Sequence, residues 1–220
     1  MKKVLLSWSS GKDSAWALHL LRQQPDIQVA ALLTTFNTVA DRVAMHAVRR
    51  SLVVAQAAAA GLPLWPVELP WPCSNAEYAA RMSAVVTRAR EEQFDAVAFG
   101  DLFLEDIRAY REQQLAGTGL EPLFPVWGIP TDQLAQQMIA AGVKATLTCV
   151  DQAKLSPAFA GREWNAALLS ELPPGIDPCG ENGEFHTFAS HSPAFAHSIA
   201  VRPGELVERD GFAFADLLGD

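Results

Sequence analysis

The chain is poor in the residues that staple small folds together. Its 220 residues include three cysteines, Cys73, Cys149 and Cys179. None forms a C-x-x-C pair, so a disulfide framework and a cysteine-based zinc or redox site have no support. Reduced thiols in a cytoplasmic setting are the expectation. Positive charge is also short. The net charge of −8 argues against a mainly electrostatic hold on nucleic acid or an anionic membrane. Long apolar runs are missing. Val4-Leu5-Leu6 after Met1-Lys2-Lys3 is cut off by Ser7-Trp8-Ser9-Ser10-Gly11-Lys12-Asp13, far short of the ~7–15 residues of a secretory apolar region. Nothing approaches the ~18 apolar residues of a transmembrane helix. There is no G-x-G-x-x-G. A Walker A loop is excluded because position 6 is leucine and Asp13 follows Lys12 where Ser or Thr is required.

What is present reads as an ordinary globular chain, 50% apolar and 19% charged. Its length suggests one domain or one and a half, taking about 150 residues per domain. The acidity is uneven. Residues 151–220 hold 11 acidic and 4 basic side chains, whereas residues 1–150 hold 14 and 13. That asymmetry hints at a C-terminal subdomain with its own surface.

The first half alternates strands and helices: strand Val4–Ser7, helix Asp13–Gln24, strand Ile27–Phe36, helix Met45–Ala60 stopping at Gly61, strand Leu64–Leu69, helix Ala76–Gln93 capped by Ser74 or Asn75, strand Ala96–Gly100 and helix Leu104–Ala116. This order predicts an α/β fold, a Rossmann-like parallel sheet with helices on both faces. In such sheets ligands sit beyond the C-terminal strand ends, here the loops after Leu6, Phe36, Leu69 and Phe99. From about Pro125 the texture changes. Helix Pro130–Ala141, strand Lys144–Val150 and helix Arg162–Leu172 precede short strands at Glu184–Ala189, Ala200–Val207 and Phe212–Phe214, the last two joined by a Glu208-Arg209-Asp210-Gly211 turn. We therefore expect a front α/β domain, 1–125, and a smaller α+β C-terminal subdomain, 126–220, for a substrate.

The segment Ser9-Ser10-Gly11-Lys12-Asp13-Ser14 follows the first strand, with Ser7 at its end, and opens the first helix. Small residues let backbone approach a phosphate, and the N–H groups of a helix N-terminus favour an anion. Lys12 adds a positive charge, Ser9 and Ser14 add hydroxyls, and the Asp13 carboxylate can hold Mg²⁺ against phosphate oxygens. An ordinary strand-to-helix turn is the plainer reading. Gly100-Asp101 ends another strand; Gly100 allows close approach of a ligand, and Asp101 either binds Mg²⁺, ribose or an amine or caps the next helix. Arg108 and Glu112 share a helix face, as an exposed ion pair or as an arginine clamp oriented by Glu112. Glu181 and Glu184 flank Gly183, and a period of two puts Glu184 and His186 on one strand face. They either form a polar turn or converge on an ammonium ion, an amine or a proton. His46 is placed at the start of the second helix, to face a nucleotide or to cap. Trp8 sits where it can touch an adenine, and Cys179 reads as structural.

Ser9–Ser14 resembles the S-G-G-x-D-S loop of the PP-loop ATP pyrophosphatases, with Ser10 where the first glycine is usual, a change that fits if Ser10 has negative φ. Gly100-Asp101-Leu102, Arg108, Glu112, Gly119-Leu120, Pro122-Leu123 and Trp127 resemble the G-D-I…R…E…G-L-x-P-L…W segment of the diphthine–ammonia ligase-like family. Cys179-Gly180-Glu181-Asn182-Gly183-Glu184-Phe185-His186-Thr187 resembles that family's G-E-x-G-E signature.

The resemblance implies an adenine nucleotide α-hydrolase type of fold. It implies an ATP- and Mg²⁺-dependent ligase that adenylates a carboxylate, on a small molecule or a modified protein residue, releases pyrophosphate and passes the acyl group to ammonia. It assigns Ser7, Ser9, Ser10, Gly11, Lys12, Asp13, Ser14, His46, Gly100, Asp101 and Arg108 to the nucleotide, Asp13 to the metal, and Lys12, Asp13, Glu181, Glu184 and His186 to the chemistry. Asn182 and His186 stand where relatives tend to carry glycine and a second acidic residue, so the resemblance speaks more firmly for ATP than for diphthine as acceptor. A chain of this length has no room for an added glutaminase, so free or partner-delivered ammonia is expected. A tRNA-thiolating enzyme and a non-catalytic ATP-binding module are the alternatives. No membrane partner is expected, nucleic acid is disfavoured, and a homodimer is compatible.

Overall fold

A computed structural model describes residues 1–219. In chain order its elements are β1 (Lys2–Ser7), α1 (Lys12–Arg22), β2 (Ile27–Asn37), β3 (Arg42–Val43), α2 (Arg50–Ala60), β4 (Leu64–Leu69), α3 (Asn75–Glu91), β5 (Ala96–Ala98), α4 (Glu105–Leu115), β6 (Glu121–Leu123), α5 (Thr131–Ala140), β7 (Lys144–Asp151), β8 (Glu163–Trp164), α6 (Ala166–Glu171), β9 (Phe185–His191), β10 (Val201–Arg209) and β11 (Phe212–Gly219).

The first sheet is the expected parallel one, in the order β4-β2-β1-β5-β6, with β3 folding back antiparallel on the end of β2. From β1 the chain builds outward through β2 and β4, then returns to the other side of β1 for β5 and β6. The order therefore reverses between β1 and β5, and a crevice opens beyond their C-terminal ends. The strands are apolar because both faces are covered. Val4 and Leu6 join one core layer, and Leu5 joins the other with Leu33 and Val97. The second sheet is antiparallel. Its central strand β7 pairs with β9, β11 and β8, and β10 pairs with β11 through the Asp210-Gly211 turn.

The two sheets share a core layer that joins Leu6, Trp8 and Leu18 to Leu147, Phe188 and Leu217. Polar ties reinforce it. Ala189 N–H donates to Ser10 O across 2.9 Å. Asp216 on β11 accepts from Arg42 and Arg49, which hold its carboxyl down at about 2 against partial burial.

Local chemistry corrects two expected helices and adds an unexpected strand. The helix expected from Met45 begins only at Arg50. Val43 and Val48 are buried and joined by a backbone bond, and the chain between them turns through Met45 and Ala47 at φ 64° and 56°. The helix expected from Arg162 begins at Ala166. Trp164 is drawn into β8, and the Asn165 side chain caps the helix by accepting from Leu168 N–H. The strand β6 was not expected, because a three-residue run containing Pro122 carries no strand pattern; an edge position tolerates the proline. By contrast, Ser74 and Glu77 form a capping box at α3, and Gly61 closes α2 at φ 64°.

Candidate active site

The loop from Ser9 to Ser14 lies in the crevice, as its position after β1 requires. Its hydroxyls bind each other and the loop: Ser14 Oγ donates to Gly11 O, and Gly11 N–H donates to Ser9 Oγ. Ser10 has φ 70°, not the negative value that replacing glycine would favour. It is fully buried, its Oγ has no partner, and it is turned away from the cleft. Gly100 proves to be needed by the protein itself. A Cβ there would stand 3.1 Å from Ser14 N and 3.2 Å from Asp13 C, so the glycine admits the start of α1 and not only a ligand.

Lys12 is 2% exposed. Its Nζ donates to Asp13 Oδ2 at 3.0 Å and to Cys179 O, and it lies over the rings of Trp164 and Phe185. Burial is the largest influence and opposes its charge, but Asp13, Cys179 and Asp177 together hold the ammonium above the ordinary lysine value. Lys12 N–H donates to Thr187 Oγ1 at 3.2 Å, so β9 caps the helix that carries the loop. Asp13 Oδ1 and Asp101 Oδ2 are buried acceptors with no hydrogen-bond partner. Among the described residues no group of three or more His, Cys, Asp or Glu is placed to hold a metal alone.

A cleft of about 250 Å³ joins these parts. It is lined by Ser7, Ser9, Lys12, Asp13, Ser14, His46, Gly100, Asp101, Glu181 and His186 among the anticipated residues. Glu181 Oε1 accepts from Leu102 N–H at 2.7 Å and so ties the acidic C-terminal part to the end of β5. Burial, with Asp13 and Asp101 nearby, raises the Glu181 carboxyl to about 7 despite that bond. His46 and His186 lie ring against ring, centroids 4.5 Å apart. Burial lowers both, His186 to about 4, so both are neutral at pH 7.

Besides Ser10 and Gly11, three expected residues do not line the cleft, and His46 lines it from an unexpected element. Glu184 is 2% exposed and outside the cleft. Its Oε1 accepts from Asp177 N–H and Asn182 Nδ2, holding the 177–184 loop. Arg108 is partly exposed, paired with Glu112 and set over Phe124 and Trp127. His46 stands in the turn before α2, not on the helix. Trp8 turns its indole into the core, where Nε1 donates to Gln56 Oε1 at 2.8 Å and the ring packs on Phe195. Sequence reasoning missed Arg111, which lines the cleft 3.6 Å from Asp101. The signal was its register: Leu104, Ile107 and Arg111 form an i, i+3, i+7 stripe on α4, and all three line the cleft. Thr187 and the Cys179 carbonyl were also missed, and a carbonyl leaves no mark in a sequence.

Residues 1–122 match the family model described as diphthamide synthase N-terminal domain. Among curated proteins the chain is similar to diphthine–ammonia ligase of Mus musculus and of Homo sapiens, each 28% identical over 134 residues, and of Danio rerio, 31% identical over 131 residues. Each match covers 57% of this chain and 49 to 51% of the relative. The chain thus spans about half the length of the curated relatives it matches. A solved structure from Methanocaldococcus jannaschii, described as a predicted subunit of tRNA methyltransferase, is similar at TM-score 0.40 and 15% identity, over 63% of this chain and 76% of that one. With the strand-switch crevice and its glycine-bearing loop inside the matched segment, which is more than half of the chain, this protein belongs to the diphthamide synthase N-terminal domain family.

Proposed function

We propose that the chain is an ATP-dependent, AMP-forming ligase that adenylates a carboxylate and hands the acyl group to ammonia. The observation that carries this reading is one cleft joining a strand-to-helix loop, the pair of the buried Lys12 with Asp13, and a carboxyl, Glu181, whose proton affinity is raised toward neutral pH. A carboxylate reacts poorly with ammonia until it carries a good leaving group. In the first step a carboxylate oxygen attacks the α-phosphorus of ATP, the bond to the β-phosphate bridging oxygen breaks, and pyrophosphate leaves. In the second, ammonia attacks the acyl carbon, the carbon–oxygen bond to AMP breaks, and nitrogen gives up a proton.

The start of α1 and the Lys12 ammonium stabilise charge growing on the phosphates. Asp13, whose buried Oδ1 has no hydrogen-bond partner, would hold Mg²⁺, with Asp101, ion-paired to Arg111 at 3.6 Å, beside it in the cleft. Mg²⁺ bound there would neutralise phosphate charge. Glu181 at about 7 suits the proton from nitrogen. His186 at about 4 is too weak a base at neutral pH and instead offers a neutral imidazole for hydrogen bonding. Glu184 acts as a positioning residue through the loop it holds. The free thiols fit a cytoplasmic protein, and no described helix is long and apolar enough to cross a membrane.

The test is to incubate the protein with ATP, Mg²⁺, ammonium and a panel of carboxylates, and to follow pyrophosphate and AMP. Release of both should need carboxylate and ammonium, and Asp13→Asn should lower it at least ~100-fold. Arg108→Ala should leave it near wild type. ADP as product, or AMP only with tRNA and a sulfur donor, would sink the reading. Thiolation is the weaker alternative because Cys149 and Cys179 are buried and their thiols pushed upward.

A further inference from the structure

A second cavity, of about 720 Å³, opens off the cleft and runs between α3, α4 and the sheet. It exists because α3 does not close on the strands beneath it. The helix carries an apolar stripe at Tyr78, Met82, Val85, Val86 and Ala89, yet of its 17 residues only Ala89 is fully buried. Facing that stripe are Leu5, Leu33, Leu69 and Val97 from the strands. Among the described residues no Asp or Glu lines the cavity, and Arg111 is its one Lys or Arg. Arg111 stands where cavity and cleft meet, and its Nε is buried without a hydrogen-bond partner, 3.6 Å from Asp101. An apolar chamber therefore ends in a guanidinium beside the phosphate loop.

We infer that this chamber takes the acceptor, and that the acceptor is a small carboxylic acid with an apolar body. The body lies against the α3 stripe, out of water, where apolar burial drives binding. The carboxylate meets Arg111 at the mouth, within the cleft that holds the phosphate loop. A dicarboxylate or an amino acid would bring a charged end into a chamber with nothing to pair it, a costly burial. The inference rests on the ligase reading for its chemistry, but its binding prediction does not depend on turnover.

The test uses 3-phenylpropanoate, 3-phenylpropan-1-ol and glutarate as probes, titrated calorimetrically into the full chain. The expected order is 3-phenylpropanoate binding at least tenfold more tightly than glutarate. Met82→Trp and Val86→Phe, which fill the chamber, should each weaken 3-phenylpropanoate at least tenfold while leaving the affinity for ATP unchanged. Arg111→Gln should weaken the acid but not the alcohol. Equal affinity for glutarate, or no effect of both filling variants, overturns the inference. So does an equal loss of ATP affinity in those variants, which would give the chamber to the nucleoside. If these affinities hold but no acid supports AMP release, the pocket stands and the ligase reading fails.

Discussion

Ser10 shows how much a single backbone angle hides from a sequence. Glycine would be free to adopt φ 70°, whereas an L side chain there costs about 1–2 kcal/mol. Its hydroxyl is also buried without a partner. Ser10→Gly should therefore stabilise the fold by ~1 kcal/mol after the extra freedom of the unfolded chain is deducted. Urea unfolding should show a higher midpoint at an unchanged slope; a lower midpoint would mean that the hydroxyl contributes. Glu181 can be read the same way. Its value of about 7 in the folded chain against the ordinary 4.5 means that folding tightens its hold on the proton. The stability it contributes is complete below pH 4.5 and is lost as pH rises through 7. Glu181→Gln should match wild type near pH 4.5 and exceed its stability at pH 8 by about 3 kcal/mol. Equal pH–stability profiles for the two proteins would place the carboxyl's value near 4.5. The acidic identity of Glu181 was legible in the sequence, while its tuning was not, because that depends on burial beside Asp13 and Asp101.

At the scale of elements, periodicity and caps carried most of the information. β4 and a cap at Ser74 or Asn75 could be read directly, and Asp210-Gly211 marked its hairpin. The failures share a cause. Around Val43 and Trp164, tertiary burial of one large side chain overrode helix propensity, and β6 gains its strand state only from its neighbour β5. Helix α2 offers a sharper lesson. Gln56 is the one polar residue between Leu52 and Ala60, and it is fully buried. It accepts from Trp8 Nε1 and donates to Ser10 O and Ala189 O, joining the Ser9–Ser14 loop, α2 and β9. Gln56→Ala leaves these groups without partners and should cost ~2–4 kcal/mol in denaturant unfolding. A loss under ~1 kcal/mol would show that the three elements hold without it.

Across the whole molecule, the site is made from both ends of the sequence. The parallel sheet supplies the loop, Asp101 and Arg111, and the acidic C-terminal third supplies Glu181 and His186. That third is strongly negative, yet much of its charge near the cleft is bound up internally: Asp177 accepts from Glu181 N–H, and Glu184 from Asp177 N–H. The closing loop therefore acts as a built wall whose tuned carboxyl, Glu181, faces the cleft. The central claim is that a carboxylate oxygen becomes bonded to the α-phosphorus. The most direct measurement uses the carboxylate selected by the panel, labelled with ¹⁸O in its carboxyl group, with ATP, Mg²⁺ and ammonium, and reads the products by mass. Adenylation predicts one ¹⁸O in the phosphate of AMP and none in pyrophosphate. Label in inorganic phosphate with ADP, or unlabelled AMP alongside the amide, would contradict the account.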